Sequence, residues 1–430
     1  MNRTLLIRNG YLVDPGTGFE GKADLLIKDG VIAGVGEHLE TEEADARTID
    51  AEGLTVLPGL VDIHVHLRDP GFTYKEDVGS GTEAAAHGGV TTLLAMPNTM
   101  PPMDSTDRIS YVLNKAKSLS KVHVHQSSAI TKDMKGEELV DIDGLCDFGI
   151  KAFSEDGKSV MSSVLMRQAM KRIKAHDALI CDHCEDIDLV CGGVMNDDAN
   201  AARLGLPGIS NSVEDVIAAR DTILAMETGV RLHLCHCSTE GSVEIVRMAK
   251  KKGAEVSAEV CPHHFILTSD DITEDDGNFK MNPPLRSKAD RDALIEGLVD
   301  GTIECISTDH APHGAEEKTR GIRKSPFGIV GIESSAALTY TALVKTGKLT
   351  LMQMAEKMSL NPARILRVPG GTLAEGSPAD VAIFDFNKSY VINPADFRSR
   401  GKNTPFAGKE VYGSCQYTIS GGEIVWEDRT

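Results

Sequence analysis

The sequence predicts an α/β protein: a (β/α)8 barrel of the TIM type carrying a small β-sandwich domain built from both termini. Three observations predict it. Eight short apolar segments, most of them ending in polar residues, recur through the middle of the 430-residue chain. Helical stretches separate most of them. The two ends read differently, as short strands punctuated by Gly, Asp and Asn.

The ends come first. TLLIRNG, YLVDPGTG, ADLLIKDGVIAGVG and RTIDAEGLTVLPG lie at the start; ADVAIFDF, KSYVINP and VYGSCQYTISGGEIVWED lie at the finish. Residues 1–57 and 373–430 are therefore assigned to one β domain and 58–372 to the barrel. The eight barrel strands are GLVDIHVHL, VTTLLAMP, KVHVHQSSA, FGIKAFSE, ALICDHCE, VRLHLCHCS, AEVSAEVCP and IECISTDHA. Residues 159–176 and 239–252 are typical of the helices between them. A doubly wound open sheet is the alternative, but no G-x-G-x-x-G follows the first strand.

Composition narrows the function. Hydrophobic residues at 41% and charged residues at 25% suit a soluble globular protein. The formal charge of −19 and the lack of a basic footprint argue against nucleic acid. The locally basic run 315–324 reads as a solvated loop. An anionic substrate would have to be drawn in by local Arg and metal charge. Nine Cys, an odd number, and a start without a long apolar core point to free thiols in the cytoplasm. No apolar run reaches the roughly 18 residues that a membrane span needs.

The candidate chemistry sits at strand ends, where a barrel places it. In GLVDIHVHLRDPG, strand alternation puts Asp62, His64 and His66 on one face, inside the barrel, and Val61, Ile63 and Val65 on the other. Two imidazoles at i and i+2 can grip one metal ion. His123 and His125 share that spacing but precede their strand end, so they read as core or rim histidines. His183 and His236 each end a strand among cysteines. That raises a rival, a thiolate zinc cluster of Cys181, Cys184, Cys235 and Cys237. Cys235 and Cys237 flank His236, however, and should turn away from it into the helix layer. Asp309, in CISTDHAPH, can bind metal and take a proton from bound water; a salt bridge is its plainer reading. Asp156, in KAFSEDGKS, reads alone as a turn residue before Gly157. Together, four His and two Asp from five strand ends suit Zn, Mn or similar divalent ions.

The segments LPGLVDIHVHLRDPG, MPNT, AFSEDG, DHCED, HCST, PHH, NPPLR, DHAPH, PFGIVGIE and NPARIL, in this order along essentially the whole chain, resemble the dihydroorotases of the long, type I bacterial class, within the amidohydrolase superfamily. HxH alone would indicate only the superfamily; HxHLRDPG with NPPLR and DHAPH is far more specific. The resemblance implies two divalent ions, most commonly Zn2+. His64, His66, Asp156 and Asp309 would hold one; Asp156, His183 and His236 would hold the other, with Asp156 bridging. It implies that His66, Arg68, Asn98, Asn282 and His313 bind substrate, that the backbone at Phe327 and Gly328 closes over the ring, and that Asp309 is the general acid/base. The implied reaction is reversible cyclisation of N-carbamoyl-L-aspartate to L-dihydroorotate in pyrimidine synthesis. The implied partner is that small molecule, and the resemblance is compatible with a homodimer and with association with aspartate transcarbamoylase. Arg68 offers a fork for a carboxylate, and Asn98 and Asn282 can donate and accept along carboxylate and ureide edges. Two departures stand out. Glu155 occupies the place of an aspartate in many type I members, and Lys151 lies upstream of Asp156 as a rival, carboxylated bridge. Another cyclic amidase, a hydantoinase or allantoinase, is the nearest alternative; a non-catalytic scaffold is opposed by the four histidines.

Overall fold

The computed structural model describes residues 4–429 apart from 42, 44 and 45. Its strands are β1 Thr4–Asp14, β2 Phe19–Lys28, β3 Val31–Gly36, β4 Arg47–Asp50, β5 Thr55–Pro58, β6 Leu60–Val65, β7 Val90–Ala95, β8 His123–Gln126, β9 Ala152–Ser154, β10 Leu179–Asp182, β11 Met195–Asn196, β12 Gly208–Ile209, β13 Arg231–Leu234, β14 Val256–Val260, β15 Cys305–Ile306, β16 Val381–Val391, β17 Glu410–Ser420 and β18 Glu423–Glu427.

Both chain ends enter one sheet, in the order β18-β17-β16-β5-β1-β2-β3, with β4 also on β1. The joint is β5. It runs parallel to β1, with Val56 beside Leu12, and antiparallel to β16, with Val56 opposite Ile383. Leu12, Leu25, Ile27, Val56, Val381, Ile383 and Ile419 are fully buried in one cluster drawn from both ends. Each such side chain contributes about 1.5–3 kcal/mol of burial.

The eight middle segments form parallel sheets, β6-β7-β8 and β9-β10-β13-β14-β15. Parallel bridges join the two sheets along both edges, Ser128 to Phe153 and Val65 to His310. Helices follow the strands, among them Val78–His87, Thr106–Leu119, Ser163–Ala175, Ser212–Thr228, Glu240–Lys251 and Lys288–Asp300. Thr239 caps one of them, its hydroxyl accepting from the Ser242 amide at 3.0 Å. The segment expected at 159–176 starts late, at Ser163. Ser159 instead donates its hydroxyl to the His183 carbonyl at 2.7 Å, and Ser162 caps the helix.

Strand alternation mostly holds. Leu93, Phe153, Ile180, Leu232, Leu234 and Ile306 pack on the helices, while Leu94, Ala152, Leu179, Cys181, Cys235 and Cys305 pack together on the other side. Two expectations fail. Val61 and Ile63 were expected to face the helices, yet they join the second group. The register of β6 on β7 slips between Asp62 and Val65, so His64 and His66 reach the strand ends without Val61 and Ile63 facing out. Cys235 likewise stays off the helix layer and only Cys237 enters it. The backbone turns at His236, whose φ is +33°. Among the described residues, no helix is long and apolar enough to cross a membrane.

Candidate active site

The strand ends converge on Asp156. Its Oδ1 lies 3.2 Å from His64 Nε2, 3.5 Å from His183 Nδ1 and 3.6 Å from His236 Nε2; its Oδ2 lies 3.4 Å from His66 Nε2. Asp309 Oδ1 lies 2.9 Å from His66 Nε2 and 3.6 Å from His64 Nε2. The six residues predicted as ligands therefore meet around one point, and all are buried. Burial pushes the Asp156 carboxyl up, but the surrounding imidazoles more than offset this and hold it well below the usual carboxylate range. Burial opposes a charge on His183, yet Asp156 and Glu185 raise it to about 10.

These residues fit divalent cations. His64 Nε2 is buried with no hydrogen-bond partner. His64, Asp156 and His236 each place one donor atom within 4.8 Å of the others, and so do His64, His66 and Asp309. Metal-ligating imidazoles are normally oriented through their second nitrogen, and those of His64 and His66 are. His64 Nδ1 lies 2.8 Å from Glu259 Oε1. His66 Nδ1 lies 2.8 Å from Asn98 Oδ1, and Asn98 donates its amide to Asp156 at 3.0 Å. Glu259 was missed in the sequence. The signal was an inward-facing carboxylate inside an apolar strand, AEVSAEVCP, which has no reason to be buried without a cationic partner.

The departures are explained. Glu155 turns away from the cluster and accepts from the Ile130 and Thr131 amides at 3.0 and 3.1 Å, and from the Thr131 hydroxyl. The sequence reads Lys151 as part of the strand FGIKAFSE that leads to Asp156. Lys151 immediately precedes β9 instead, is exposed, and donates to the Arg367 carbonyl at 3.3 Å. With β9 only three residues long, Lys151 and Asp156 lie at its opposite ends. The four cysteines of the rival cluster are free and divide between two apolar clusters, Cys181 with Cys235 and Cys184 with Cys237. His123 pairs with Asp380 at 3.0 Å and His125 sits half-buried beside it, both away from the centre.

The family model described as Dihydro-orotase-like matches residues 53–242. The dihydroorotase of Acetivibrio thermocellus is 46% identical over 425 residues, covering 99% of each chain. That of Clostridioides difficile is 47% identical over 422 residues, covering 98% of this chain and 99% of the relative. The chain belongs to the dihydroorotase family. Among solved structures, L-hydantoinase (dihydropyrimidinase) from Arthrobacter aurescens superposes with a TM-score of 0.88 at 29% identity, covering 99% of this chain and 96% of that one. A D-hydantoinase gives 0.87 at 28%, with the same coverage. These neighbours share the architecture of a cyclic amidohydrolase.

The other residues expected in a dihydroorotase site lie around the cluster. Arg68, held at φ +57°, donates to the Pro312 carbonyl at 3.3 Å and lies 3.4 Å from His313 Nε2. His313 is buried, 2.7 Å from the Phe327 carbonyl and 3.1 Å from Lys75 Nζ. Burial and the nearby Arg68, Lys75 and Lys318 cations drive its pKa down, so it stays neutral. Asn282 donates to Glu185 at 2.9 Å and lies 3.5 Å from His183. Gly328 donates its amide to the Lys280 carbonyl at 3.0 Å. Its φ of +128° and the 2.6 Å approach of an added Cβ to Ala311 leave no room for a side chain.

Proposed function

We propose that this site interconverts N-carbamoyl-L-aspartate and L-dihydroorotate by closing and opening a cyclic amide, in the manner of the type I dihydroorotases. The observation that carries the reading is the convergence of four buried imidazoles and two buried carboxylates beside a half-buried arginine. His64, His66, Asp156 and Asp309 would hold one divalent ion and Asp156, His183 and His236 a second, with Zn2+ favoured by the imidazole-rich donor set. Bound ions would supply Lewis acidity and a water of lowered pKa at this point. Asp156 needs no modification to bridge, and it alone touches all four histidines.

In the hydrolytic direction Asp309 receives the proton of the attacking water and returns it to the departing ring nitrogen. In ring closure the same carboxyl starts protonated, so that direction gains at lower pH. Arg68 clamps the substrate carboxylate, Asn98 and Asn282 meet its polar edges, neutral His313 supports Arg68, and the Phe327–Gly328 backbone covers the ring. The two parallel sheets and their bridges fit a closed (β/α)8 barrel over 58–372, with 1–57 and 373–430 as one β-sandwich domain. The odd cysteine count and the lack of a paired thiol fit a cytoplasmic enzyme; a homodimer and an aspartate transcarbamoylase partner remain part of the same family reading.

The test is a metal-reconstituted assay on dihydroorotate beside hydantoin and allantoin. Dihydroorotate should dominate, with close to two ions per chain. Asp309→Asn should lose at least ~100-fold in rate, the usual scale of acid–base catalysis. Asp156→Ala should lose the ion pair while Lys151→Ala keeps it. Preference for hydantoin would move the assignment to the hydantoinases. A carbamate on Lys151 that is lost together with activity would overturn the bridge.

A further inference from the structure

The basic run 315–324 contains one lysine that is not solvated. Lys318 ends the short helix Ala315–Lys318 and is 4% exposed. Its ammonium donates to three backbone carbonyls: Lys280 at 3.0 Å, Pro326 at 3.0 Å and Gly328 at 2.8 Å. Among the described residues no carboxylate comes within ion-pair distance of it. A cation buried against carbonyl dipoles alone is costly to desolvate, and such a group persists where the surrounding structure requires it.

Its three acceptors belong to two segments. Lys280 lies two residues before Asn282. Pro326 and Gly328 bracket Phe327, whose carbonyl meets His313. The same Lys280 carbonyl also accepts the Gly328 amide, and the Gly328 carbonyl also accepts Asn403 Nδ2 at 3.0 Å. The Lys280 ammonium lies 4.3 Å from the centre of the Phe327 ring. One ammonium thus ties the segment carrying Asn282 to the segment expected to cover the ring.

We propose that Lys318 is a positioning residue: a three-point clamp that fixes the Phe327–Gly328 backbone against the Asn282 segment and so sets substrate affinity. This rests on the dihydroorotase reading of the site. Lys318 does not touch the reacting atoms. Its effect should fall on KM, because a displaced covering loop weakens ground state and transition state alike. Burial, with Lys280 nearby, lowers the Lys318 ammonium to about 7, while Asp276 and Glu317 pull it upward and Lys75 opposes them. The clamp therefore carries its full set of donors on the acid side of neutrality.

Lys318→Met keeps the length and removes every donor. Among the described residues only the Pro326 carbonyl then lacks a second donor, since Lys280 and Gly328 keep theirs, so the fold should survive. Lys318→Gln, which retains two N–H donors, gives an intermediate variant. Two readouts are needed. Amide hydrogen exchange at Gly328 should speed up about tenfold or more in Lys318→Met, the loss expected for hydrogen bonds to a charged donor. Exchange over the helix Lys288–Asp300 should not change. In the same protein, KM for dihydroorotate should rise about tenfold with metal content and kcat nearly kept, and Lys318→Gln should fall between. Unchanged exchange at Gly328 would overturn the clamp. Faster exchange with unchanged KM would overturn its role in affinity. Wild-type protein that is loaded with metal but inactive on dihydroorotate would reject the proposed function, while the exchange result would still judge the clamp.

Discussion

At Arg68 the proposed recognition of an anionic substrate comes down to one side chain. Its backbone sits at φ +57°, a region that costs a non-glycine residue of order 1 kcal/mol or more. The bend carries the guanidinium past the end of β6 toward Pro312 and His313, over the Asp156–Asp309 cluster. Burial lowers its pKa, and the Asp309 and Asp156 carboxylates resist that, so it stays charged. In a chain of net charge −19, this local cation is what an anionic substrate would meet. Arg68→Met should therefore depress dihydroorotate turnover by about 100-fold or more, as loss of a buried charge-assisted pair does. A cyclic amide lacking the carboxylate should lose far less. Arg68→Lys should recover little, because an ammonium lacks the planar fork. Steady-state kinetics on the two substrates separate the cases, and equal losses would make Arg68 a structural residue. The sequence made Arg68 legible through HxHLRDPG. It could not show that Asn98 would be engaged by His66 and Asp156, because that pairing joins β6, β7 and β9 across the centre.

Strands set which histidine does what. His123 and His125 repeat the spacing of His64 and His66, yet they occupy the body of β8 rather than its end. Burial, with His123 and Lys151 nearby, lowers His125 to about 4. The sign follows from linkage. The unfolded imidazole titrates near 6.5 and the folded one near 4, so the contribution is fully present above pH ~6.5 and drains away as the pH falls through ~4. For a half-buried ring the loss is on the order of 2 kcal/mol. His125→Gln should flatten the fall of Tm between pH 6.5 and 4. An identical acid limb in the variant would show that His125 does not titrate there. The same element scale explains the misplaced Lys151. From sequence, FGIKAFSE reads as one strand through Lys151; the ladder shortens it to Ala152–Ser154, and the lysine falls at the opposite end from Asp156.

The whole molecule is held together by a sheet to which both ends contribute. β16, β17 and β18 come from the last 50 residues, and β16 covers the edge that β5 would otherwise expose. A chain ending at 372 would lose Leu373, Ala379, Val381, Ile383 and Ile419 from the shared cluster. At about 1.5–3 kcal/mol for each of the four large side chains, that is about 6–12 kcal/mol, comparable to the whole 5–15 kcal/mol by which a protein is ordinarily stable, and the bared strand edge adds to the loss. The truncated chain should be insoluble or should unfold without a cooperative transition, as read by circular dichroism on heating. A soluble, cooperatively folding chain of 372 residues would show that the C-terminal strands are dispensable for folding.

The sequence by itself determined the parallel α/β class, the pairing of the two ends, and the six residues that meet at the centre. Strand ends and turn residues are local signals, and HxHLRDPG, NPPLR and DHAPH carry their chemistry in short stretches. Only the tertiary structure decided which face of β6 holds Val61 and Ile63, that Cys235 stays off the helix layer, that Lys151 lies away from the Asp156 cluster, and that Glu259 orients His64. It also decided that a lysine in a run that reads as solvent-exposed is buried against three carbonyls. Each of these depends on a register slip, a positive φ or a contact between distant segments. Such features are fixed by packing over the whole molecule and leave no periodicity in the chain.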